Sequence, residues 1–202
     1  MEWTEIKVRV TFEEEVLGVT PGDSEIYQRF IGSKGPNAKT LEEEIEALGE
    51  DAVLENGMTI FPKDENGTPF TWDYQWKGFF KDACGMLRRA DGSRSKKLKA
   101  YKKEIDGLVY VFPRKIPYEI PEGEQIGICE RSLRAQTAQG ERVALACSET
   151  VPAGSTQEFT IRVLKKELVP YITEWLEYGM VHGTGAWRNS GKGRFTFEIL
   201  ES

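Results

Sequence analysis

An aromatic stripe at helical spacing is the feature that most constrains how this chain folds. Within Trp72–Arg89, apolar side chains recur at i, i+3, i+4, i+7, i+10 and i+11, namely Trp76, Phe79, Phe80, Ala83, Met86 and Leu87. This period places them along one face of an amphipathic helix. A face so rich in large rings has to pack on another apolar surface, so we predict that the stripe belongs to the core and is not a platform for stacking bases.

Alternating segments supply that surface. Glu5–Phe12 alternates polar and apolar residues, which is typical of a half-buried strand with Lys7 and Arg9 on its polar face. Further strands are predicted at Met58–Phe61, Thr68–Trp72, Leu108–Phe112, Ile126–Gln136, Glu141–Ser148, Gln157–Leu164 and Arg194–Leu200. Asn66-Gly67 predicts a hairpin turn between the first two of these.

The remaining segments complete an α+β pattern. Arg114–Pro121 is predicted to be an extended edge segment because it contains Pro117. Leu168–Met180 is predicted to be a second amphipathic helix, and residues 92–103 a loop or frayed helix. Short helices are predicted at Ser24–Ile31 and Leu41–Leu48. This order favours one domain over residues 1–202, with helices on one face of an antiparallel sheet and a helical insertion at 24–56.

Composition excludes several classes of protein. The chain has 202 residues, 39% of them hydrophobic and 30% charged, and no apolar run as long as a membrane span. With no signal-peptide pattern at the N-terminus, we expect a cytoplasmic protein. Cys84, Cys129 and Cys147 have no metal-binding spacing, and His182 is the single histidine. We therefore expect free, buried thiols and no metal or cofactor.

The charges are distributed unevenly. Leu41–Asn56 contains seven acidic residues and no basic one, whereas Lys77–Lys103 contains ten basic residues and two acidic ones. Lys77, Lys81 and Arg88 share a face of the predicted 72–89 helix. Such asymmetry favours a basic surface for a polyanion, with solvated helix faces as the simpler interpretation.

A glycine-rich segment precedes the last strand. Residues 183–195 read Gly-Thr-Gly-Ala-Trp-Arg-Asn-Ser-Gly-Lys-Gly-Arg-Phe. Gly183, Gly185, Gly191 and Gly193 allow the backbone to approach a ligand closely, and Arg188, Lys192 and Arg194 add positive charge. The segment follows a helix and lacks the Gly-Lys-Ser/Thr pattern of nucleotide-binding loops. An anion-binding loop and a plain helix-to-strand connection both fit this sequence.

Three segments in this order resemble the RAMP superfamily of CRISPR-associated proteins, above all the backbone subunits that line the guide RNA in type III effector complexes. They are Asp64–Phe70 with the Trp76–Lys81 segment, Glu149–Phe159, and the glycine-rich segment 183–195. The sequence departs from the family at residues 72–75, where Trp-Asp-Tyr-Gln stands in place of a small Pro-Gly-Ser-Ser turn.

The resemblance implies a ferredoxin-like, RNA-recognition-type core with an inserted hairpin, residues 126–148, as a projecting thumb. It also implies binding of single-stranded RNA through phosphates, beside copies of itself or other effector subunits. Because no motif in this sequence marks a catalytic aspartate and no histidine lies near the N-terminus, we expect this binding to be non-catalytic. The RNA contacts would come from Lys77, Lys81, Arg88, Arg131, Arg134, Gly183, Gly185, Arg188, Gly191, Lys192, Gly193 and Arg194.

Two other functions remain open from the sequence. A ribonuclease would use Asp23 or Asp51 with a metal, or His182 as an acid or base. A protein-interaction module, such as a phage protein that blocks a host complex, would use the acidic Leu41–Asn56 segment as its partner surface. The same protein could also be a stand-alone mimic of an effector subunit.

Overall fold

The computed structural model describes residues 2–22, 58–137 and 140–201, and the side chains of these except for 132–145. The predicted helices Ser24–Ile31 and Leu41–Leu48, the acidic segment, Asp23 and Asp51 lie outside the described residues. The described strands are β1 (Thr4–Phe12), β2 (Val16–Leu17), β3 (Thr20–Pro21), β4 (Thr59–Ile60), β5 (Phe70–Trp72), β6 (Val109–Phe112), β7 (Lys115–Pro117), β8 (Gly127–Thr137), β9 (Gly140–Val151), β10 (Thr156–Val163) and β11 (Phe195–Glu201). The described α-helices are α1 (Asp73–Leu87), α2 (Tyr101–Leu108) and α3 (Val169–His182).

The chain divides into two compact units. The first comprises Met1–Val16, Pro62–Gln125 and Val151–Ser202, and the second comprises Leu17–Phe61 and Ile126–Thr150. The first unit contains the three helices and the glycine-rich segment, and the second contains most of the β8–β9 hairpin.

An antiparallel four-stranded sheet forms the centre of the first unit. Its strand order is β11-β1-β10-β6. Taking these four strands in chain order, the arrangement is 4-1-3-2, with α1 between the first and second strands and α3 between the third and fourth. This is the ferredoxin-like α+β fold that the sequence predicts. β1 lies at the centre because it pairs with both β10 and β11.

One face of this sheet carries the core. The apolar residues of β1 are buried and alternate with polar ones, as the sequence predicts. Trp76 of α1 lies 4.4 Å from the ring of Phe159 on β10 and 5.4 Å from Phe195 on β11. Phe80 of α1 faces the fully buried Trp175 of α3 at 5.9 Å. The aromatic stripe is therefore core, although Met86, predicted to belong to it, is exposed.

A buried amide fixes α1 on the sheet. Gln157 of β10 is fully buried, and its Oε1 accepts a 3.1 Å hydrogen bond from Trp76 Nε1. Its Nε2 donates to Thr71 Oγ1 at 2.7 Å and to the Ile116 carbonyl at 2.9 Å. All the polar atoms of this amide are thus paired, which removes the cost of burying it.

Replacing this amide with an apolar group of similar size should destabilise the fold. Gln157→Leu leaves Trp76 Nε1 without its acceptor and removes the bonds to Thr71 and to the Ile116 carbonyl, so we expect a loss of about 2 kcal/mol in the free energy of unfolding. Thermal melting checks this, with the exposed Gln125→Leu as the control that should melt like wild type. Equal melting temperatures for the two variants would contradict this role of Gln157.

The structure confirms one local prediction in the first unit and corrects two others. Asn66-Gly67 forms the predicted hairpin turn, closed by the Asp64 carbonyl and Gly67 amide at 3.0 Å, and Lys63 and Pro69 on either side form an antiparallel bridge. β5 pairs with β7, while β4 pairs with β3 and β9. Residues 92–103 include a 3-10 turn at Arg94–Lys97, and α2 begins at Tyr101 and extends through Leu108, where a strand was predicted to begin.

The second unit has its own sheet, built on the β8–β9 hairpin. β9 pairs antiparallel with β8 along its length and parallel with β4 at Ser148. The hydroxyls of Thr59 and Ser148 lie 2.7 Å apart, and the Phe61 amide donates to the Glu149 carboxylate at 3.0 Å. The predicted long hairpin is thus present, with bounds a few residues wider than the sequence indicates.

The three thiols are free, as expected, but only Cys84 is buried. Burial raises the pKa of the Cys84 thiol, which makes it less reactive. Cys129 and Cys147 are half-buried, so the expectation of burial was wrong for these two. None of the helices in the described part of the chain has the length and apolar character needed to cross a bilayer.

Candidate nucleic-acid interface

The predicted cationic face of α1 packs against α2. Lys77 Nζ donates to the Asp106 carbonyl at 2.8 Å, and Lys81 Nζ pairs with the Asp106 carboxylate at 2.5 Å. Burial lowers the pKa of Lys77, and the Asp106 carboxylate opposes this effect. Arg88 lies over the ring of Tyr101 at 5.2 Å. These three cations therefore contribute to helix packing as well as to surface charge.

Two of the four loop glycines close the glycine-rich segment on itself. Gly193 has φ +70°, its amide donates to the Glu15 carbonyl, and its carbonyl accepts from the Thr184 amide at 2.9 Å. A Cβ at Gly193 would overlap the Thr184 carbonyl oxygen and lie 2.9 Å from its carbon. A Cβ at Gly183, φ +78°, would lie 2.7 Å from the carbonyl carbon of Gly193. Only glycine fits at these two crossing points.

The other two loop glycines share the backbone conformation of the first pair. Gly185 and Gly191 also have positive φ, at +81° and +85°. The atom nearest to a Cβ at Gly191 would be Nε of Arg194, at 3.5 Å, which is an ordinary contact. Gly191 therefore meets a conformational requirement without being closely packed against the backbone.

Each cation of the loop is held by a carboxylate. Arg188 Nη1 pairs with Asp82 of α1 at 2.6 Å, and Lys192 Nζ pairs with Glu15 at 2.7 Å. Arg194 Nη2 pairs more loosely with Glu14 at 3.3 Å. The three cationic side chains are 23–41% exposed. The loop therefore presents oriented cations that remain accessible to solvent, and the Arg188–Asp82 pair connects it to α1.

Several donors in this loop have no acceptor among the described residues. The amides of Gly185 and Ala186 donate to nothing within the described residues. Arg194 Nε is buried and, in the same part of the chain, also has no hydrogen-bond partner. Gly185 and Ala186 are half-buried, so their amides are open to water or to a ligand oxygen, whereas a buried donor without an acceptor such as Arg194 Nε is uncommon in folded proteins.

His182 ends α3 beside this loop. Its Nε2 lies 3.6 Å from the Asp82 carboxylate, and its ring stacks on Tyr178 at 4.8 Å. Burial, aided by the Arg188 cation, lowers the pKa of His182 below its usual 6.5, and Asp82 opposes this. The imidazole is therefore mainly neutral at pH 7 and packed on two sides. No group of three His, Cys, Asp or Glu side chains among the described residues is placed to hold a metal ion.

The predicted cations of the hairpin belong to the second unit. Arg131 of β8 is half-buried, and its Nη1 donates to the Ser148 hydroxyl at 3.2 Å. Arg134 also lies on β8, but its side chain is outside the described set. On the open face of the first unit's sheet, Arg9 is bonded to Glu158, with Nε 2.7 Å from the carboxylate, and Lys7 lies 3.9 Å from the same group. The positive charge of this face is thus largely neutralised.

Sequence reasoning missed the acidic partners and one unusual aromatic residue. Asp82, Glu14 and Glu15 orient the loop cations, yet they are distant from them in sequence and form no motif. Trp187, between Ala186 and Arg188, is exposed and has φ +55°, a conformation that is rare for a bulky residue. The one sequence feature that could have pointed to Trp187 is its position within the glycine-rich segment.

Comparison with solved structures places this geometry on a known fold. A chain in "Cryo-EM structure of the Type III-B Cmr-beta bound to cognate target RNA" aligns with a TM-score of 0.55 and 12% identity, over 99% of this chain and 61% of that chain. This protein thus spans about three-fifths of that chain's length, and at this identity the likeness concerns the fold alone.

Two further structures align with lower scores. A chain of "Type IV-B CRISPR Complex" gives a TM-score of 0.49 at 12% identity, over 98% of this chain and 91% of that one. "Crystal structure of Cmr6 from Pyrococcus furiosus" gives 0.45 at 12% identity, over 97% of this chain and 99% of that one. No family model and no curated protein sequence matches the chain.

Proposed function

We propose that the protein binds single-stranded RNA through its phosphates at the glycine-rich loop and does not cleave it. The observation that carries this proposal is a set of donors in one loop that have no acceptor in the described part of the chain, the amides of Gly185 and Ala186 and Nε of Arg194. Phosphate oxygens accept from such amides, and a guanidinium fits a phosphate with paired donors.

The carboxylate partners of the loop cations do not prevent phosphate binding. Partly exposed ion pairs contribute only about 0–1 kcal/mol, so an incoming phosphate can share or displace the carboxylate at little cost. Arg188 uses Nη1 for Asp82, and Arg194 uses Nη2 for Glu14, which leaves further N–H groups on each guanidinium. In the absence of RNA the pairs hold these side chains at the loop and reduce the entropy lost on binding.

The fold and the sequence motifs support the same proposal by separate routes. The structure that aligns at a TM-score of 0.55 is of a CRISPR complex bound to target RNA. The RAMP-like motifs come from the sequence and include the loop itself. On this proposal the chain is a subunit of such an effector, or a stand-alone relative, and contacts other subunits or copies of itself. Lys77, Lys81 and Arg88 of the first unit are further candidate phosphate contacts, and Arg131 and Arg134 are candidate contacts on the second unit.

Binding should be insensitive to sequence and should occur without catalysis. We expect single-stranded RNAs of different sequence to bind with similar affinity, because phosphates carry no sequence information. We expect intact RNA after incubation with or without divalent metal, and binding by His182→Ala within about threefold of wild type, since this packed, neutral imidazole adds no charge at pH 7.

Fluorescence anisotropy and gel analysis of the same samples check these expectations. A catalytically inert, unrelated RNA-binding protein carried through the same purification controls for contaminating nuclease. Absence of RNA binding by the folded wild-type protein would refute the proposal. Metal-dependent cleavage that disappears in Asp23→Asn or Asp51→Asn would establish the ribonuclease instead.

A further inference from the structure

The start of α1 carries one exposed ring, Tyr74, and one half-buried ring, Trp72, where the sequence departs from the family pattern. Trp72, which precedes the first residue of α1, and Tyr74 have nearly parallel rings, 13° apart in orientation and 6.3 Å between centroids. Tyr74 is 51% exposed. Trp72 is anchored by its amide, which donates to Gln75 Oε1 at 2.7 Å. The departure thus places aromatic faces at the surface in place of a small polar turn.

Two cations lie beside these rings. The Arg114 guanidinium lies 5.6 Å from the Trp72 ring, and the Lys115 ammonium lies 5.9 Å from the same ring. The Arg114 side chain is 71% exposed and pairs with Asp73 only at 3.4 Å. Such a loose, exposed pair leaves most of the guanidinium plane available for stacking.

This cluster is continuous with one of the proposed phosphate contacts. Tyr74 and Lys77 are three residues apart on α1, so their side chains are neighbours on one helix face. Lys77 Nζ in turn lies 4.5 Å above the ring of Tyr110, which is 38% exposed. We call Trp72, Tyr74, Arg114 and Tyr110 the aromatic patch. Rings and cations alternate along it, with Lys77 in the middle.

We propose that the aromatic patch stacks the bases of single-stranded RNA whose phosphates are bound by the neighbouring cations, an inference that rests on the proposed function. Proteins that hold single strands without reading sequence combine cations for the backbone with ring faces for the bases. The arginine plane stacks in the same way as a ring. Tyr74 and Arg114 supply the exposed stacking faces, and Lys77 supplies the charge.

The composition of the patch favours RNA over a protein partner. Protein interfaces are also enriched in aromatic residues and arginine, but they are depleted of lysine and their centres of charge, whereas Lys77 lies in the middle of the aromatic patch. Here the exposed large apolar residues, Tyr74 and Tyr110, are aromatic, and each lies next to a cation or within one helical turn of one. If Tyr74→Leu lost the binding of a protein partner but bound RNA like wild type, the assignment of the patch to RNA would be wrong.

The test separates base stacking from phosphate binding by removing the bases. Affinities are measured by competition against a labelled strand, for an adenine-containing oligoribonucleotide and for an abasic oligomer of equal length. We expect wild type to prefer the base-containing strand by at least about fivefold, because stacking on one aromatic ring is worth this much or more. Tyr74→Leu should lose that preference while binding the abasic strand like wild type. Tyr74→Phe should retain it.

The matched control is Phe112→Leu. Phe112 is also an exposed ring next to an arginine, with Arg162 at 4.8 Å, but that arginine is held by two hydrogen bonds to Glu5. We expect this variant to keep the wild-type preference. Because stacking involves no counterion release, Tyr74→Leu should also keep the wild-type salt dependence.

The outcomes distinguish this inference from the proposed function. If wild type binds both strands equally, or if Tyr74→Leu keeps the full preference, base stacking at the aromatic patch is wrong while phosphate binding stands. If wild type binds neither strand, both the base-stacking inference and the proposed RNA-binding function are wrong. Equal losses in Tyr74→Leu and Phe112→Leu would also overturn the assignment to this patch.

Discussion

Gly193→Ala should unfold the protein at a much lower temperature than wild type. Gly193 has φ +70°, and an added Cβ would overlap the Thr184 carbonyl oxygen, an atom fixed by the crossing of the loop. Backbone strain and this overlap should together cost about 3 kcal/mol or more in the free energy of unfolding. For a chain of this size, a loss of that order lowers the melting temperature by about 6–12 °C.

Gly191→Ala is the matched control. Gly191 has an equally positive φ, at +85°, but a Cβ there meets only Arg194 side-chain atoms at 3.5 Å or beyond. We expect a cost of about 1 kcal/mol from the left-handed conformation alone. Calorimetry of the two variants checks the difference. Equal melting temperatures would mean that the backbone crossing at Gly193 and Thr184 is not a fixed feature of the loop.

Removing the three loop cations together should abolish most of the RNA affinity. The variant Arg188→Gln, Lys192→Gln, Arg194→Gln keeps polar side chains of similar length but loses every charge-assisted bond that we propose for the loop. We expect affinity to fall about a hundredfold or more, because hydrogen bonds to charged groups are the stronger ones and three are lost. The fall should be similar for all RNA sequences.

The control replaces a lysine outside the loop that also pairs with a carboxylate. Lys165 pairs with Glu104 at 3.2 Å and is exposed, so Lys165→Gln removes one cation from the same unit without touching the loop. We expect its affinity to stay within about threefold of wild type. Circular dichroism establishes that the triple variant is folded. A folded triple variant with wild-type affinity would place the RNA elsewhere.

Periodicity was sufficient to predict the core of the first unit. The alternation over Glu5–Phe12 and the stripes of α1 and α3 each identify a buried face, because burial repeats along the chain with the geometry of the element. Periodicity cannot identify which distant segments pair with each other. The Asn66-Gly67 turn was therefore predicted correctly, because the short hairpin that it closes is local, whereas local sequence does not specify distant partners such as β7 for β5.

Long-range contacts also explain what the sequence missed in the candidate site. The basic run over Lys77–Lys103 suggested an open cationic surface. Instead, Lys77 and Lys81 contact Asp106 on α2. This helix was not predicted, because it has only eight residues and its apolar pattern is too short to stand out within the basic segment. Likewise the loop cations meet Asp82, Glu14 and Glu15 through the fold. The glycine-rich segment itself was recognisable because positive φ restricts residue choice at single positions.

The salt dependence of RNA binding tests the central claim, that the glycine-rich loop binds phosphates, most directly. The measurement is the slope of log affinity against log salt concentration for wild type and for the folded triple variant Arg188→Gln, Lys192→Gln, Arg194→Gln. Each phosphate contact on a single strand contributes about 0.7 to this slope, so we expect the triple variant to be less steep by about 2. Parallel lines for the two proteins would contradict phosphate binding at the loop.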